Sequence, residues 1–163
     1  MASKYGSFKE YIDKEYDGPF MATDVIIRHD TGKKEGVVLI DRKYEPLGLA
    51  IVGGIAERMP FYQNAGKEGL EETGLVVKID NPEQPLCVLS EVDQDPRAHI
   101  ATVVYTGVGT GTLQPDPDED AKSAAVYTNE ELKELVETGT WAFEHHRKAA
   151  RYYLESLEKN GKQ

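Results

Sequence analysis

The sequence predicts an α/β fold, a mixed β-sheet sandwiched between helices. Three observations carry this. Short runs rich in Val and Ile, bounded by Gly, Pro, Asp or Asn, read as strands. A polar, acidic stretch over 59–73 has helical spacing and stops at Gly74. A longer amphipathic stretch from Trp141 closes the chain as a second layer of helix.

Taken in order, residues 8–17 are polar and aromatic and read as a short helix or an arm. Residues 22–28 and 36–42 are strands joined by the turn Thr31-Gly32-Lys33-Lys34. Residues 48–52 form a short strand that feeds Gly53-Gly54. The helix over 59–73 follows. Residues 86–92 and 99–108 are strands around a loop at Asp93-Gln94-Asp95-Pro96-Arg97. Residues 110–118 form an acidic surface loop, and 121–127 form the last strand. Asn129 is the expected cap of a helix starting Glu130-Glu131-Leu132. Residues 1–163 read as one domain, with an N-terminal arm over about 1–19 and a C-terminal helix over about 141–159.

Composition narrows the function. A net charge of −10 without clustered Lys and Arg argues against a nucleic-acid surface. It leaves phosphate-bearing substrates open, because a bound metal inverts the local field. A single cysteine, Cys87, in an apolar run reads as a core residue of a reducing compartment. No apolar stretch approaches the ~20 residues of a membrane span, and the N-terminus has no signal pattern. The expected location is the cytoplasm, away from membranes.

The chemistry centres on Glu68, Glu71 and Glu72. Positions i, i+3 and i+4 share a helix face, so three carboxylates point one way. Such a grouping suits a hard divalent cation, Mg²⁺ or Mn²⁺, which takes oxygen ligands and keeps water for phosphate chemistry. The plainer reading is a solvated acidic face.

The run from Gly53-Gly54 to Leu75 resembles the Nudix box, G-x5-E-x7-R-E-U-x-E-E-x-G-U, with U a bulky aliphatic. Leu75 and Gly74 match its end, Glu72 and Glu71 its E-E pair, and Glu68 the glutamate of R-E. Lys67 takes the arginine position without that residue's bidentate fork. Gly69 replaces the aliphatic, which costs about 0.5–1 kcal/mol of helix propensity relative to Ala. Gly54 lies one residue too near the helix, so the box's first glutamate has no counterpart; Glu57 is the nearest carboxylate. The segment 39–48, the run Asp95-Pro96-Arg97-Ala98-His99, the acidic Asp118-Glu119-Asp120-Ala121 and Ala142-Phe143-Glu144-His145-His146 resemble the ADP-ribose pyrophosphatase-like subgroup of Nudix hydrolases.

The resemblance implies a Nudix-type α/β/α sandwich and hydrolysis of a nucleoside diphosphate linked to another moiety, with ADP-ribose the leading guess. Glu68, Glu71, Glu72 and the Gly53 carbonyl would hold Mg²⁺ or Mn²⁺, which neutralises phosphate charge and activates water. Glu71 and Glu72, with Glu119 or Asp120, are the catalytic candidates. Arg42, Arg97 and His99 are the substrate-binding candidates. Against these, Arg97 reads as a salt bridge to Asp93 or Asp95, and His99 as a structural histidine. His145 and His146 have the wrong spacing for a metal pair, since adjacent helical residues diverge by about 100°. Tyr44 or Tyr62 offers a ring for a base. Trp141, Phe143, Tyr152 and Tyr153 read as core or homodimer contacts. The rival function is a nucleotide-binding sensor or interaction module without hydrolysis, motivated by Lys67, Gly69 and the shortened loop.

Overall fold

The computed structural model describes residues 4, 6–116, 118 and 120–160, the last for its backbone only. The elements run α1 (Phe8–Glu15), β1 (Phe20–Asp30), β2 (Glu35–Arg42), β3 (Leu49–Ala50), β4 (Val52–Ile55), α2 (Phe61–Thr73), β5 (Val76–Ile79), β6 (Cys87–Leu89), β7 (Ile100–Thr110), β8 (Ala121–Tyr127), α3 (Asn129–Thr138) and α4 (Glu144–Asn160). The eight strands make one mixed sheet. Its spine is the parallel pair β1–β7, in register from Phe20↔Ile100 to Arg28↔Val108.

Alternation along the strands sorts the core into two layers. Val25 and Ile27 of β1 join Val38, Ile40, Val52 and Leu75 under α2. Ile26 joins Val37, Leu39, Ile51 and Val104 under α3 and α4, where Leu132, Val136, Ala149, Ala150 and Tyr153 meet them. The result is the expected helix–sheet–helix sandwich.

Strand β1 changes partner along one edge. Its residues Ala22–Val25 pair with β4, and Ile27–Asp30 pair with β2. The fork between β2 and β4 sets Gly53 opposite Asp24, directly beside α2.

Several boundaries differ from expectation for local reasons. Pro60 precedes α2, so the helix starts at Phe61; the residue before a proline is pushed out of the helical region. Thr128, not Asn129, caps α3, and with Glu131 it completes a capping box. Trp141 bridges to Leu49 and donates Nε1–H to the Leu135 carbonyl at 2.8 Å, and α4 begins only at Glu144. Strand β5, close behind the Gly74 stop, has only four residues, too few for a readable period.

Candidate active site

Helix α2 is held against the sheet by Asn64, which is wholly buried. Its Nδ2 donates to Thr23 Oγ1 at 2.8 Å, and its Oδ1 accepts from the Glu57 N–H at 3.0 Å. That clamp and the Gly74 stop, whose N–H donates to the Leu70 carbonyl at 2.8 Å with φ 74°, fix the helix phase. The acidic face then meets the Gly53-Gly54 turn.

Glu72 is buried, and its Oε2 accepts the Gly53 N–H at 3.0 Å. A Cβ on Gly54 would lie 2.7 Å from Glu68 Oε2, and one on Gly53 would lie 2.3 Å from Asp24 Oδ1. Both glycines are therefore places where carboxylates approach bare backbone. Glu71 turns to Lys67, whose Nζ donates to Glu71 Oε2 at 2.7 Å and to Glu57 Oε1 at 3.0 Å. Lysine thus braces two carboxylates at the arginine position of the box. Burial pushes the Glu72 carboxyl up to about 8, aided by repulsion from Glu68 and Asp24 and opposed by the Gly53 N–H and Arg42. Oxygen donors crowded at this cost fit a hard divalent cation, which reverses the penalty.

Beside the glycine turn is a cavity of about 130 Å³. Arg42 and Arg97 both line it, each with its guanidinium carbon 5.2 Å from the Phe143 ring centre. Arg42 is buried, donates Nε–H to the Pro46 carbonyl at 3.0 Å, and has Nη2 3.9 Å from Asp120 Oδ2. Arg97 is engaged bidentately by Asp95, at 2.9 and 2.7 Å, so the turn-shaping role is real while the side chain still lines the cavity. Asp120 lines it too. His99 does not: its Nε2 meets the Ser90 carbonyl at 3.1 Å, away from the cavity. Glu119 lies outside the described residues. A wider groove of about 510 Å³ between α3 and α4 is lined by Glu130, Lys133, Glu137 and Arg151 and gathers none of this chemistry.

The structure corrects the reading of His145 and His146. Both rings turn inward from the first turn of α4, with centroids 4.5 Å apart, because side-chain length offsets the divergence of their Cα–Cβ bonds. With Asp24 they form a buried group whose ligating atoms lie within 4.8 Å of one another. Asp24 itself was missed. A lone carboxylate inside Met21-Ala22-Thr23-Asp24-Val25-Ile26 was the available signal, since a buried acid demands partners. Phe143, expected as a core or dimer contact, is buried and in addition has the two arginines against its ring.

Fold and family comparisons agree. A NUDIX domain model matches residues 18–150. The chain belongs to the Nudix family. An ADP-ribose pyrophosphatase of Methanocaldococcus jannaschii is 34% identical over 125 residues, covering 74% of this chain and 69% of the relative. The Nudix fold is shared with the NUDIX domain of Shewanella oneidensis NrtR, solved with ADP ribose, at TM-score 0.69 and 17% identity over 93% of this chain and 99% of that one. A MutT/nudix protein of Enterococcus faecalis is 27% identical at TM-score 0.59; the match covers 74% of this chain and about half, 51%, of that chain.

The buried histidine gives this Nudix domain a pH signature. Burial first, then the neighbouring His146, pushes His145 down to about 4 from 6.5. A depressed histidine contributes stability above its unfolded pKa and loses it as pH falls through the folded value. The loss between about pH 6.5 and 4 should therefore reach roughly 2–3 kcal/mol. His145→Phe should flatten that limb of a melting-temperature profile. Glu72 slopes the other way from about pH 4.5 to 8 and overlaps this limb, so the difference between wild type and variant is the quantity to compare.

Proposed function

We propose that this Nudix hydrolase cleaves the diphosphate bridge of a nucleoside diphosphate joined to a sugar, with ADP-ribose the leading substrate and Mg²⁺ or Mn²⁺ required. The observation that carries the reading is the meeting of Glu68 and Glu72 with Gly53-Gly54 at the edge of a cavity lined by Arg42 and Arg97. The named activity of the Methanocaldococcus relative and the ligand of the Shewanella domain support the substrate.

Glu68, Glu71, Glu72 and the Gly53 carbonyl are the residues that would hold the cation, which when bound neutralises phosphate charge and makes water more acidic. The chain's own groups do the positioning. The Gly53 N–H fixes Glu72, and Lys67 fixes Glu71 from one turn away. Arg42 and Arg97 present positive charge to the diphosphate, and their contacts with Phe143, Pro46 and Asp95 hold them in place. Asp120 remains the loop carboxylate available to assist.

Lys67 in the arginine's place motivates one other reading, a Nudix domain that binds a nucleotide without turnover. A panel of nucleoside diphosphate compounds with Mg²⁺ or Mn²⁺, read by phosphate release after phosphatase coupling, separates the two. ADP-ribose should be cleaved best. A folded protein that binds ADP-ribose and cleaves nothing on the panel would replace the hydrolase with the binding module.

A further inference from the structure

The chain changes partner strand at Ile51. Ala50 pairs with β2, Val52 and Gly53 pair with β1, and Ile51 stands between them in neither strand. Ile51 is 1% exposed, so its N–H needs a partner inside the protein. That partner is a side chain of α4: the Ile51 N–H donates to His146 Nδ1 at 3.0 Å.

An accepting Nδ1 puts the His146 proton on Nε2, and this N–H faces Asp24 Oδ2 at 3.1 Å. Asp24 is the residue opposite Gly53 in the β1–β4 register. Its Oδ1 lies across the glycine, 2.3 Å from where a Cβ would stand. One buried imidazole therefore ties the residue two before Gly53 to the residue opposite it. The rings of His145 and Phe143, with centroids 4.5 and 4.8 Å away, hold that imidazole in place. His145 is the opposite tautomer, since its Nδ1 must donate to the Gln94 carbonyl at 3.1 Å. His146 alone has both nitrogens engaged by the two strands at the glycine turn, which leaves it nothing to offer a substrate or a metal.

We infer that His146 is a positioning residue for the glycine turn, a strut between the Ile51 N–H and the Asp24 carboxylate that sets Gly53 against Glu72. The inference rests on the proposed reading of Glu72 and the Gly53 carbonyl as cation-holding groups. The Gly53 N–H already holds Glu72 Oε2 at 3.0 Å, so a shift of Gly53 moves both groups together. Contacts behind the ligands of a metal act in this way, because they fix the direction in which each ligand points. Loss of the strut should therefore weaken metal binding and spare substrate recognition.

Calorimetric titration of the metal-free full chain with Mn²⁺ tests this without turnover, beside ADP-ribose hydrolysis at rising Mg²⁺. His146→Phe keeps a ring and removes both hydrogen-bonding nitrogens. It should lower Mn²⁺ affinity and raise the half-saturating Mg²⁺ by about tenfold each, while KM for ADP-ribose at saturating Mg²⁺ moves less than about threefold. In a cycle with Asp24→Ala the Mn²⁺ losses should fall well short of additive, because both variants cut one strut. Nitrogen NMR of the wild-type His146 ring at about pH 8 needs no variant to fold, and should show a protonated Nε2 and an accepting Nδ1 with and without Mg²⁺. Unchanged Mn²⁺ affinity in folded His146→Phe, additive losses, or the other tautomer would overturn the strut. So would imidazole nitrogen coupling to bound Mn²⁺ that disappears in His146→Phe, which would make the ring a ligand. A chain whose Mn²⁺ affinity depends on His146 but which hydrolyses no diphosphate keeps the strut and loses the catalytic reading; hydrolysis with unchanged metal dependence in His146→Phe does the reverse.

Discussion

Glu72→Gln is expected to lower diphosphate hydrolysis by roughly two to three orders of magnitude while making the metal-free protein more stable at pH 8. The two effects share one cause. The carboxyl is buried against the Gly53 N–H, and burial with nearby Glu68 and Asp24 raises it to about 8. A carboxyl whose folded pKa lies above its unfolded value of 4.5 binds more protons in the native state. Stability therefore falls as pH rises from about 4.5 to 8. Glutamine retains an oxygen for the Gly53 N–H and never ionises. The variant should gain about 1–3 kcal/mol at pH 8, below the roughly 1.4 kcal/mol per unit that the full shift would imply, because metal-free water can relax around the charge. Melting curves across pH 5–8 in EDTA, set beside turnover with Mg²⁺, check both halves. Lower stability together with unchanged turnover would place both the strain and the chemistry elsewhere.

Gly69→Leu, which restores the usual aliphatic of the Nudix box, is expected to destabilise by about 3 kcal/mol or more. A Cβ at Gly69 would lie 2.5 Å from Val77 Cγ2, 3.3 Å from Val77 Cβ and 3.5 Å from Ile27 Cδ1. Val77 is β-branched and fixed in β5, so its methyl cannot swing aside as a long side chain would. The propensity gain on replacing glycine, about 1 kcal/mol, is outweighed by overpacking of about 1–3 kcal/mol even for Gly69→Ala. Val77→Ala should reverse the sign: in that background Gly69→Ala becomes stabilising, with a coupling of about 1–2 kcal/mol in a double-mutant cycle. Urea unfolding of the four proteins measures it. Additivity would show that the glycine is not complementary to Val77.

These two positions also show what the sequence made legible. The period of 3.6 residues set Glu68, Glu71 and Glu72 on one face of α2, and Gly74 marked its stop; the structure places Glu68 and Glu72 against Gly53-Gly54, while Glu71 pairs with Lys67. At Gly69 the sequence shows only a loss of helix propensity, because Val77 lies in a strand too short to recognise, and only the folded sheet shows that Val77 fills the space of the absent aliphatic. Asp24, Phe143, His145 and His146 come together from opposite ends of the chain through the β1–β4 fork and the first turn of α4. Such long-range convergence leaves no local period. The tautomers of the two histidines depend on the Ile51 N–H and the Gln94 carbonyl, backbone groups whose directions a sequence does not state. The family motifs carried the box and its order, and Asp95 was one of the two partners the sequence offered for Arg97; the Pro46 carbonyl, Asp120 and Phe143 around Arg42 lie far apart in the chain or on backbone and left no such signal.

On the proposed function, the Glu68–Glu72 cluster at the glycine turn supports metal-dependent cleavage of a sugar-linked nucleoside diphosphate. Phosphorus NMR of ADP-ribose incubated with the wild-type chain, first in EDTA and then through a Mg²⁺ titration, tests it most directly. The predicted result is no reaction in EDTA and saturable conversion to AMP and ribose 5-phosphate as Mg²⁺ is added. Conversion that is indifferent to EDTA, or intact ADP-ribose at saturating Mg²⁺ and Mn²⁺, would contradict it.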